Sequence, residues 1–349
     1  MQNQKLMLRA IELAKTAMNK TSPNPKVGCV IVKGGKIIAE GYHKGYGKAH
    51  AEVEALRKAK GNAKGADLYV SLEPCCHYGK TGPCTKAIIK AGIRKVFVAV
   101  KDPNPKVNGR GIAELKKSGI KVEVGMCKKE AEALNAPFFK GIKKKMPFVI
   151  AKIAMSKDGK ITYGNGKRKI ISGKESHAFS YYFRNYVDAI LVGANTVGKD
   201  DPRLLPKPLL GKKPLRIVLD PWLGIKSNAK MLGEEAVIFY SKKKKGKLKK
   251  EIKILGKKAR LFAVSEKNGK LNLKEVLRML NGLGVNLLLV EGGAEVFSSF
   301  VNGGFADSIM VFVSPKKVGE GKTVLDRLKR RIKIISASKL GKDILVDAV

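Results

Sequence analysis

ADLYVSLEPCCHYGKTGPCTKAIIKAGI, residues 66–93, decides the fold of the first half of this chain. Leu68 to Leu72 is a short apolar run and reads as a buried strand. Proline cannot donate to a sheet ladder, so the strand stops at Pro74. Cys75 then stands at the carboxyl end of a strand, where open α/β sheets place their ligands. After Gly82-Pro83, Cys84 opens the apolar helix TKAIIKAGI. The reading is strand, loop, helix, with a Pro-led cysteine on each side of the loop.

Upstream lies AHAEVEALRKA, residues 49–59. Ala51, Val53, Ala55 and Leu56 suit a buried helix that His50 opens, and one helical turn lets His50 and Glu52 border the same pocket. Both cysteines can face His50. An imidazole and two thiolates form a zinc set with a fourth position left for water, so His50, Cys75 and Cys84 are the expected ligands. The metal lowers the pKa of that water. Glu52, beside the metal but not bound to it, is the expected carrier of the proton from water to a departing amine. These are the parts of a zinc-dependent deaminase. Eight residues separate the two cysteines, whereas the familiar nucleobase-deaminase pattern has two. Taken singly, each residue also fits a buried cysteine or core histidine; the strand-loop-helix context favours the metal site.

Length and composition bound the rest. With 349 residues, 44% of them apolar, the chain is long enough for two domains. No run of 18 apolar residues indicates a membrane span. The first twenty residues have helical apolar spacing (Leu6, Leu8, Ile11, Leu13, Ala14) and no h-region, so they do not read as a signal peptide. The expected location is the cytoplasm, with no membrane partner. An odd number of cysteines, five, argues against a disulfide framework. Cys29, Cys76 and Cys127 read as small core residues or free thiols. The formal charge of +42 would suit a polyanion. Arginine supplies only 13 of the 71 basic residues, however, and aromatics are 6%. The lysines are spread along the whole chain and stacking platforms are scarce, so solvated lysine-rich faces are expected and no specific nucleic acid. The densest cluster, Lys242 to Lys250, reads as an exposed loop or helix start.

The first half alternates helix and strand, the α/β signature. KVGCVIVKGGKIIAEGYH reads as a hairpin turning at Gly34-Gly35. VFVAV (96–100) reads as a strand, residues 111–118 as a helix, and KVEVG as a further strand. A basic hinge at Lys140 to Pro147 breaks the pattern, which places the boundary at 145: residues 1–145 and 146–349. A second α/β run starts at PFVIAKIAMS. Strands are expected at 188–194, 215–220, 236–241, 286–293 and 308–316. No G-x-G-x-x-G fingerprint is present. Instead the strand NLLLVE ends in Gly292-Gly293, followed by a helix from Ala294 to Val301 whose first N–H groups could meet an anion. A second edge, LVGANTVGKDDPRL, offers Thr196, Asp200 and Asp201. Each alone reads as a plain αβ turn; together they sketch a nucleotide cofactor cleft.

Over almost its entire length the chain resembles the bifunctional deaminase-reductase family of riboflavin biosynthesis. The resemblance is carried by PNPKVGCVIV (23–32), EGYHKGYGKAHAEVEAL (40–56), LEPCCHYGKTGPC (72–84), KDPNPKVNGRG (101–111), KIAMSKDGKI (152–161), ILVGANTVGKDDPRL (190–204) and EGGAEVF (291–297). The long cysteine spacing is normal in that family. The resemblance implies a three-layer α/β/α cytidine-deaminase-like domain followed by a dihydrofolate-reductase-like α/β domain. It implies hydrolytic deamination of 2,5-diamino-6-ribosylamino-pyrimidinone 5′-phosphate, then reduction of its ribosyl group to ribityl by NADPH, with Zn²⁺ as the other cofactor. Self-association is common in the family, so a homo-oligomer is expected.

Roles carry over position by position. His50, Cys75 and Cys84 match the zinc ligands and Glu52 the proton shuttle. Asn24 and His43 match residues that hold the pyrimidine; Lys80, Asp102 and Asn104 match loop residues around the substrate. Lys80 can meet the substrate phosphate as a point charge, while Asn24, Asp102 and Asn104 equally suit turn-making beside proline. In the second half, Lys152 and Glu291 match polar substrate contacts near the hydride-transfer site; both are expected to be catalytic, and Glu291 to bind substrate as well. Arg184 matches a position expected to bind substrate phosphate, and Leu204 and Lys207 fall on the substrate side. Arg168 is also placed there, with the extra phosphate of the cofactor as its other reading. Ala154, Ile170, Thr196, Asp200, and Gly293, Ala294, Glu295, Val296, Phe297, Ser298 and Ser299 match cofactor contacts. The sequence departs from the family at Arg168 to Gly173, which lacks the usual tryptophan and threonine, and at Leu205 in place of threonine. Two other readings follow from such features: a deaminase with a degenerate second half, and a deaminase of structured RNA.

Overall fold

The computed structural model describes residues 2–164 and 170–349. The chain divides into two compact units, Met1–Lys145 and Met146–Val349. In the first, the elements run α1 (Gln2–Lys15), β1 (Gly28–Lys33), β2 (Lys36–Tyr42), α2 (Ala51–Lys58), β3 (Asp67–Val70), α3 (Cys84–Lys90), β4 (Lys95–Val98), α4 (Arg110–Lys117), β5 (Lys121–Val124) and α5 (Lys128–Lys144). The five strands form one sheet in the order β2-β1-β3-β4-β5. β1 is antiparallel to both neighbours, and β3, β4 and β5 are parallel.

Strand period 2 distributes β1 between two helix layers. Cys29 and Ile31 bury against Ala51 and Ala55 of α2, Ile88 of α3 and Leu115 of α4. Val30 and Val32 bury on the other face with Met7, Ala10 and Ile11 of α1 and Ala131 of α5. The result is the expected three-layer α/β/α unit. At Gly28 the close approach of α1 is absolute: a Cβ there would fall 1.9 Å from the Ala10 carbonyl oxygen.

Two expectations change. The strands read at 68–72 and 96–100 end earlier, at Val70 and Val98. Beyond the ladder the two segments stay joined by single bonds, Ala99 N–H to Val70 O (3.0 Å) and Glu73 N–H to Val100 O (3.0 Å). The hinge read at Lys140 to Pro147 is mostly helix, because α5 continues through Lys144 and ends at Lys145 in a left-handed conformation. Lysine is a good helix former, and Asn135 anchors α5 by bonding both the N–H and the carbonyl of Lys26.

The second unit runs β6 (Phe148–Ser156), α6 (Lys174–Phe183), β7 (Ala189–Gly193), α7 (Ala194–Asp200), β8 (Leu215–Leu219), β9 (Ala236–Ser241), α8 (Lys249–Leu255), β10 (Arg260–Val264), β11 (Glu266–Lys267), β12 (Lys270–Leu271), α9 (Leu273–Gly282), β13 (Leu287–Val290), α10 (Ala294–Asn302), β14 (Ser308–Ser314), β15 (Ile334–Leu340) and β16 (Asp343–Ala348). Nine strands form a sheet in the order β10-β9-β8-β7-β13-β6-β14-β16-β15. It is parallel from β10 to β14, and the last two strands are antiparallel. Ile190, Val192, Val218 and Ile238 face one core; Ala189, Leu191, Ile217, Val237 and Phe239 face the other. Burial on both faces is why these strands read as continuous apolar runs. β15 and β16 escaped the sequence reading because β15 is an exposed edge without alternation. The Lys242–Lys247 stretch forms a short 3₁₀ turn leading into α8. Among the described residues no helix is long and apolar enough to cross a membrane.

Candidate functional site

In the first unit, His50 is the residue before α2, Cys75 follows β3, and Cys84 is the first residue of α3. Three separate elements thus deliver three ligand atoms that all lie within 4.8 Å of one another. His50 Nδ1 stands 3.2 Å from Cys84 Sγ and 3.5 Å from Cys75 Sγ. A tetrahedral zinc with ordinary Zn–N and Zn–S bonds would separate such atoms by about 3.6 Å. The donor set therefore fits zinc in both chemistry and span. The other ring nitrogen, Nε2, faces Thr81 Oγ1 at 3.4 Å, a partner that fixes the ring. The Cys84 backbone N–H points at Cys75 Sγ (3.4 Å). Hydrogen bonding from Cys84 and His50 holds the Cys75 thiol well below its ordinary range, while the bond to Cys75 and burial push the Cys84 thiol up, so the pair shares one proton.

Glu52 is 3% exposed on α2. Burial first, and the negative Cys75 second, push its carboxyl up to about 7. A group with that pKa can take and return a proton near neutral pH. His43 and Asn24 are brought to the same place: His43 stacks edge-on to His50 with ring centroids 5.2 Å apart. Since the Ala49 carbonyl can only accept, His43 Nδ1 (3.0 Å away) carries the proton. His43 Nε2 then accepts from the Asn24 amide at 3.2 Å. Lys80 Nζ lies over the Tyr46 ring, 4.2 Å from its centroid.

Asp102 and Asn104 shape their own loop. Asp102 Oδ1 accepts the Asn104 N–H (2.8 Å) and Asn104 Oδ1 accepts the Lys106 N–H (3.1 Å). Burial raises the Asp102 carboxyl to about 6. Sequence reasoning passed over Glu73, whose carboxylate accepts four backbone N–H groups from residues 102–112. It also passed over Thr81 and Tyr46. The one available signal was position: Glu73 lies in the quoted motif, beside Pro74-Cys75.

In the second unit, Lys152 on β6 and Glu291 at the end of β13 come from adjacent strands, with Val290 opposite Ala151. Glu291 is bound by Arg184 in a bidentate pair along one guanidinium edge, Nη2 donating to Oε2 at 2.6 Å and Nε to Oε1 at 3.2 Å. Arg184 Nη1 donates to the Leu205 carbonyl (2.9 Å). Burial lowers the Lys152 pKa, opposed by the Glu291 charge. Burial works against the Glu291 carboxylate, but the charges of Arg184 and Lys152 and the Arg184 hydrogen bond bring its pKa below the ordinary value. Thus Arg184, expected on phosphate, is engaged with Glu291. His177 of α6, which the sequence reading did not single out, faces the same charges and has a buried Nε2 with no hydrogen-bond partner among the described residues.

The starts of α7 and α10 converge. A Cβ on Gly193 would lie 2.9 Å from Val296 Cγ2, and one on Gly293 would lie 3.9 Å from Thr196 Oγ1. Thr196, Gly293, Ala294 and Val296 are therefore brought together at the ends of neighbouring parallel strands, beside helix N–H groups suited to a cofactor phosphate. Ala154, on β6, lies opposite Phe312. Asp200 ends α7. Phe297 and Ser298 face the core, Glu295 pairs with Lys270 (3.1 Å), and Ser299 bonds back to the Glu295 carbonyl. Leu204 is a core residue, 2% exposed, with a left-handed backbone, so its side chain serves packing. Lys207 is exposed and its N–H meets the Tyr181 carbonyl (3.3 Å). Ile170 is 63% exposed. Arg168 lies outside the described residues.

Both halves match known families. Residues 147–346 match the RibD C-terminal domain, and residues 1–100 match the cytidine and deoxycytidylate deaminase zinc-binding region. The riboflavin biosynthesis protein RibD of Aquifex aeolicus is 42% identical, over 97% of this chain and 96% of that protein. Its Escherichia coli counterpart is 34% identical, over 91% and 89%. Acinetobacter baumannii RibD superposes with a TM-score of 0.90 at 35% identity, covering 100% of this chain and 98% of that one. A Thermotoga maritima structure described as a diaminohydroxyphosphoribosylaminopyrimidine deaminase/5-amino-6-(5-phosphoribosylamino)uracil reductase gives 0.87 at 34% identity, over 99% and 98%. By matches that run through both units, this chain belongs to the RibD family.

Proposed function

We infer that the two groups of residues described above divide the work of a RibD protein between them. The chain is a bifunctional enzyme of riboflavin biosynthesis, a deaminase and a reductase in one polypeptide, using Zn²⁺ and NADPH. The observation that carries the deaminase assignment is the His50–Cys75–Cys84 cage with the buried Glu52 beside it. When bound there, zinc lowers the pKa of water so that hydroxide is available near neutral pH. Glu52 moves the proton: its carboxylate takes it from water and returns it to the departing amine. Thr81 holds the His50 ring in register, and His43 orients the Asn24 amide against the pyrimidine of 2,5-diamino-6-ribosylamino-pyrimidinone 5′-phosphate. Lys80 meets the substrate phosphate as a point charge, over the Tyr46 face.

In the reductase half, NADPH supplies the hydride. Thr196 and the segment from Gly293 hold the cofactor against two helix starts. Lys152, set by Glu291 and Arg184, holds the polar end of the ribosyl group, so that reduction gives 5-amino-6-ribitylamino-uracil 5′-phosphate. The test is a coupled assay with two readouts, ammonia release and NADPH oxidation. Wild-type protein given the diaminopyrimidinone phosphate is expected to show both. Cys84→Ser is expected to lower bound zinc below one per chain and stop ammonia release, while still oxidising NADPH when the deaminated intermediate is supplied. Loss of both activities together would show that the two sites do not work separately.

Cytoplasmic location and self-association belong to the same reading. The edge strand β15, with Ile334 and Ile335 exposed, favours a homo-oligomer. Light scattering is expected to give a mass that is a multiple of the 38.0 kDa chain; a monomer at micromolar concentration would refute it.

A further inference from the structure

Glu73 stands two residues before Cys75 and is 3% exposed. Its Oε2 accepts the N–H groups of Asp102 (3.2 Å) and Gly109 (2.9 Å), and its Oε1 accepts those of Gly111 (3.1 Å) and Ile112 (3.2 Å). The last two lie in the first turn of α4, where N–H groups lack intrahelical partners and negative charge is favoured. An ionised carboxylate is the side-chain group with two oxygens and no donor, so it can satisfy four N–H groups at once. The contact is close on the backbone side as well. A Cβ on Gly111 would fall 2.1 Å from the Pro74 carbonyl oxygen, so the start of α4 is pressed against the Cys75 segment.

Both ends of the loop from Asp102 to Gly111 are therefore tied to one carboxylate. Between those ties sit Asp102 and Asn104, which fold the loop locally through their own turn bonds. Those turn bonds give the loop its shape but not its distance from the zinc ligands. Glu73, and the weaker contact of Cys76 Sγ with the Lys106 carbonyl at 3.8 Å, tie the loop to the Cys75 segment.

We propose that Glu73 is a positioning residue of the deaminase: it holds the loop bearing Asp102 and Asn104 in register with Cys75, so that the substrate meets the metal and Glu52 in one geometry. The proposal rests on the deaminase reading above and deepens it. Both Glu73 oxygens are taken up by the four N–H groups, and Glu73 is not among the three clustered ligand residues, so its effect passes through the loop. Bound zinc reports on whether the first unit of a variant is folded, and the reaction of the second unit serves as a separate control on the chain.

The experiment compares wild type, Glu73→Gln and Glu73→Ala, each as the full chain loaded with zinc. For each, KM and kcat of deamination are measured separately, with bound zinc and NADPH oxidation on the deaminated intermediate. In Glu73→Ala, KM for the diaminopyrimidinone phosphate is expected to rise at least about tenfold, as misplacement of a substrate-positioning group does. Zinc is expected to stay at one per chain and reductase activity at the wild-type value. Glu73→Gln is expected to fall between, because its single oxygen can serve two of the four N–H groups while its amide faces the others. A wild-type KM in Glu73→Ala overturns the proposal. So does loss of zinc in step with deamination at unchanged KM, which would make Glu73 a support of the cage rather than of the loop. Absence of deamination in the wild type overturns the deaminase reading itself, and this proposal with it.

Discussion

Glu52→Ala slows ammonia release by orders of magnitude and leaves the zinc in place. The carboxylate is buried on α2 and is not among the three ligand residues, so its loss removes the proton carrier without dismantling the cage. A positioned acid-base group contributes about 10²- to 10⁴-fold, and kcat for deamination is expected to fall by that factor. NADPH oxidation from the diaminopyrimidinone phosphate should then fall in step and return when the deaminated intermediate is supplied. Metal analysis supplies the control, with one zinc per chain in both proteins. Near-wild-type deamination by Glu52→Ala would remove it from the mechanism.

Lys152→Met gives the mirror result: deamination at the wild-type rate, with reduction lowered by about 10²- to 10³-fold, the scale of one lost charge-stabilising donor. The substitution is a fair test because of the neighbouring ion pair. Glu291 keeps both bonds to Arg184 when Lys152 is gone, so no charge is left stranded. Arg184→Ala is different. It leaves a buried carboxylate without its bidentate partner, and breaking a buried pair typically costs about 3–5 kcal/mol. That variant should lose thermal stability as well as reduction, whereas Lys152→Met should lose reduction alone. The intermediate accumulates in both cases. Unchanged NADPH oxidation in Lys152→Met would move hydride-transfer chemistry to other residues, with His177 the next candidate. No oxidation in the wild type would favour a degenerate second half, the reading suggested by Ile170 and Leu205.

The clustering of His50, Cys75 and Cys84 was legible because these residues are chemically rare, close in sequence and placed at strand and helix ends. His50, Cys75, Cys84 and Glu52 need no knowledge of distant contacts. The second half was legible as alternating strands and helices, since strands buried on both faces announce themselves as apolar runs. Its contacts were not. Whether Arg184 meets a phosphate or Glu291, 107 residues away, depends on strand order. That Leu204 and Phe297 turn into the core depends on packing. Glu73 was missed for a related reason: it acts on backbone N–H groups 29 to 39 residues further on, which carry no residue signature. The charge of +42 was read as solvated lysine faces; Lys242 to Lys247 carry no buried residue.

The strand order of the second unit bears on how the protein is made on the ribosome. β13 lies between β7 and β6, yet it is the thirteenth strand to be synthesised. A nascent chain ending before residue 287 holds β7 to β10 as one parallel patch and β6 with neither of its neighbours. Glu291 and Gly293, at the end of β13, arrive with the strand that joins them. The first unit closes its sheet with β5 at residue 124. The polypeptide therefore emerges with its metal-binding half complete while its hydride-transferring half still waits for its central strand, an interval of exposed sheet edge that translation itself must bridge.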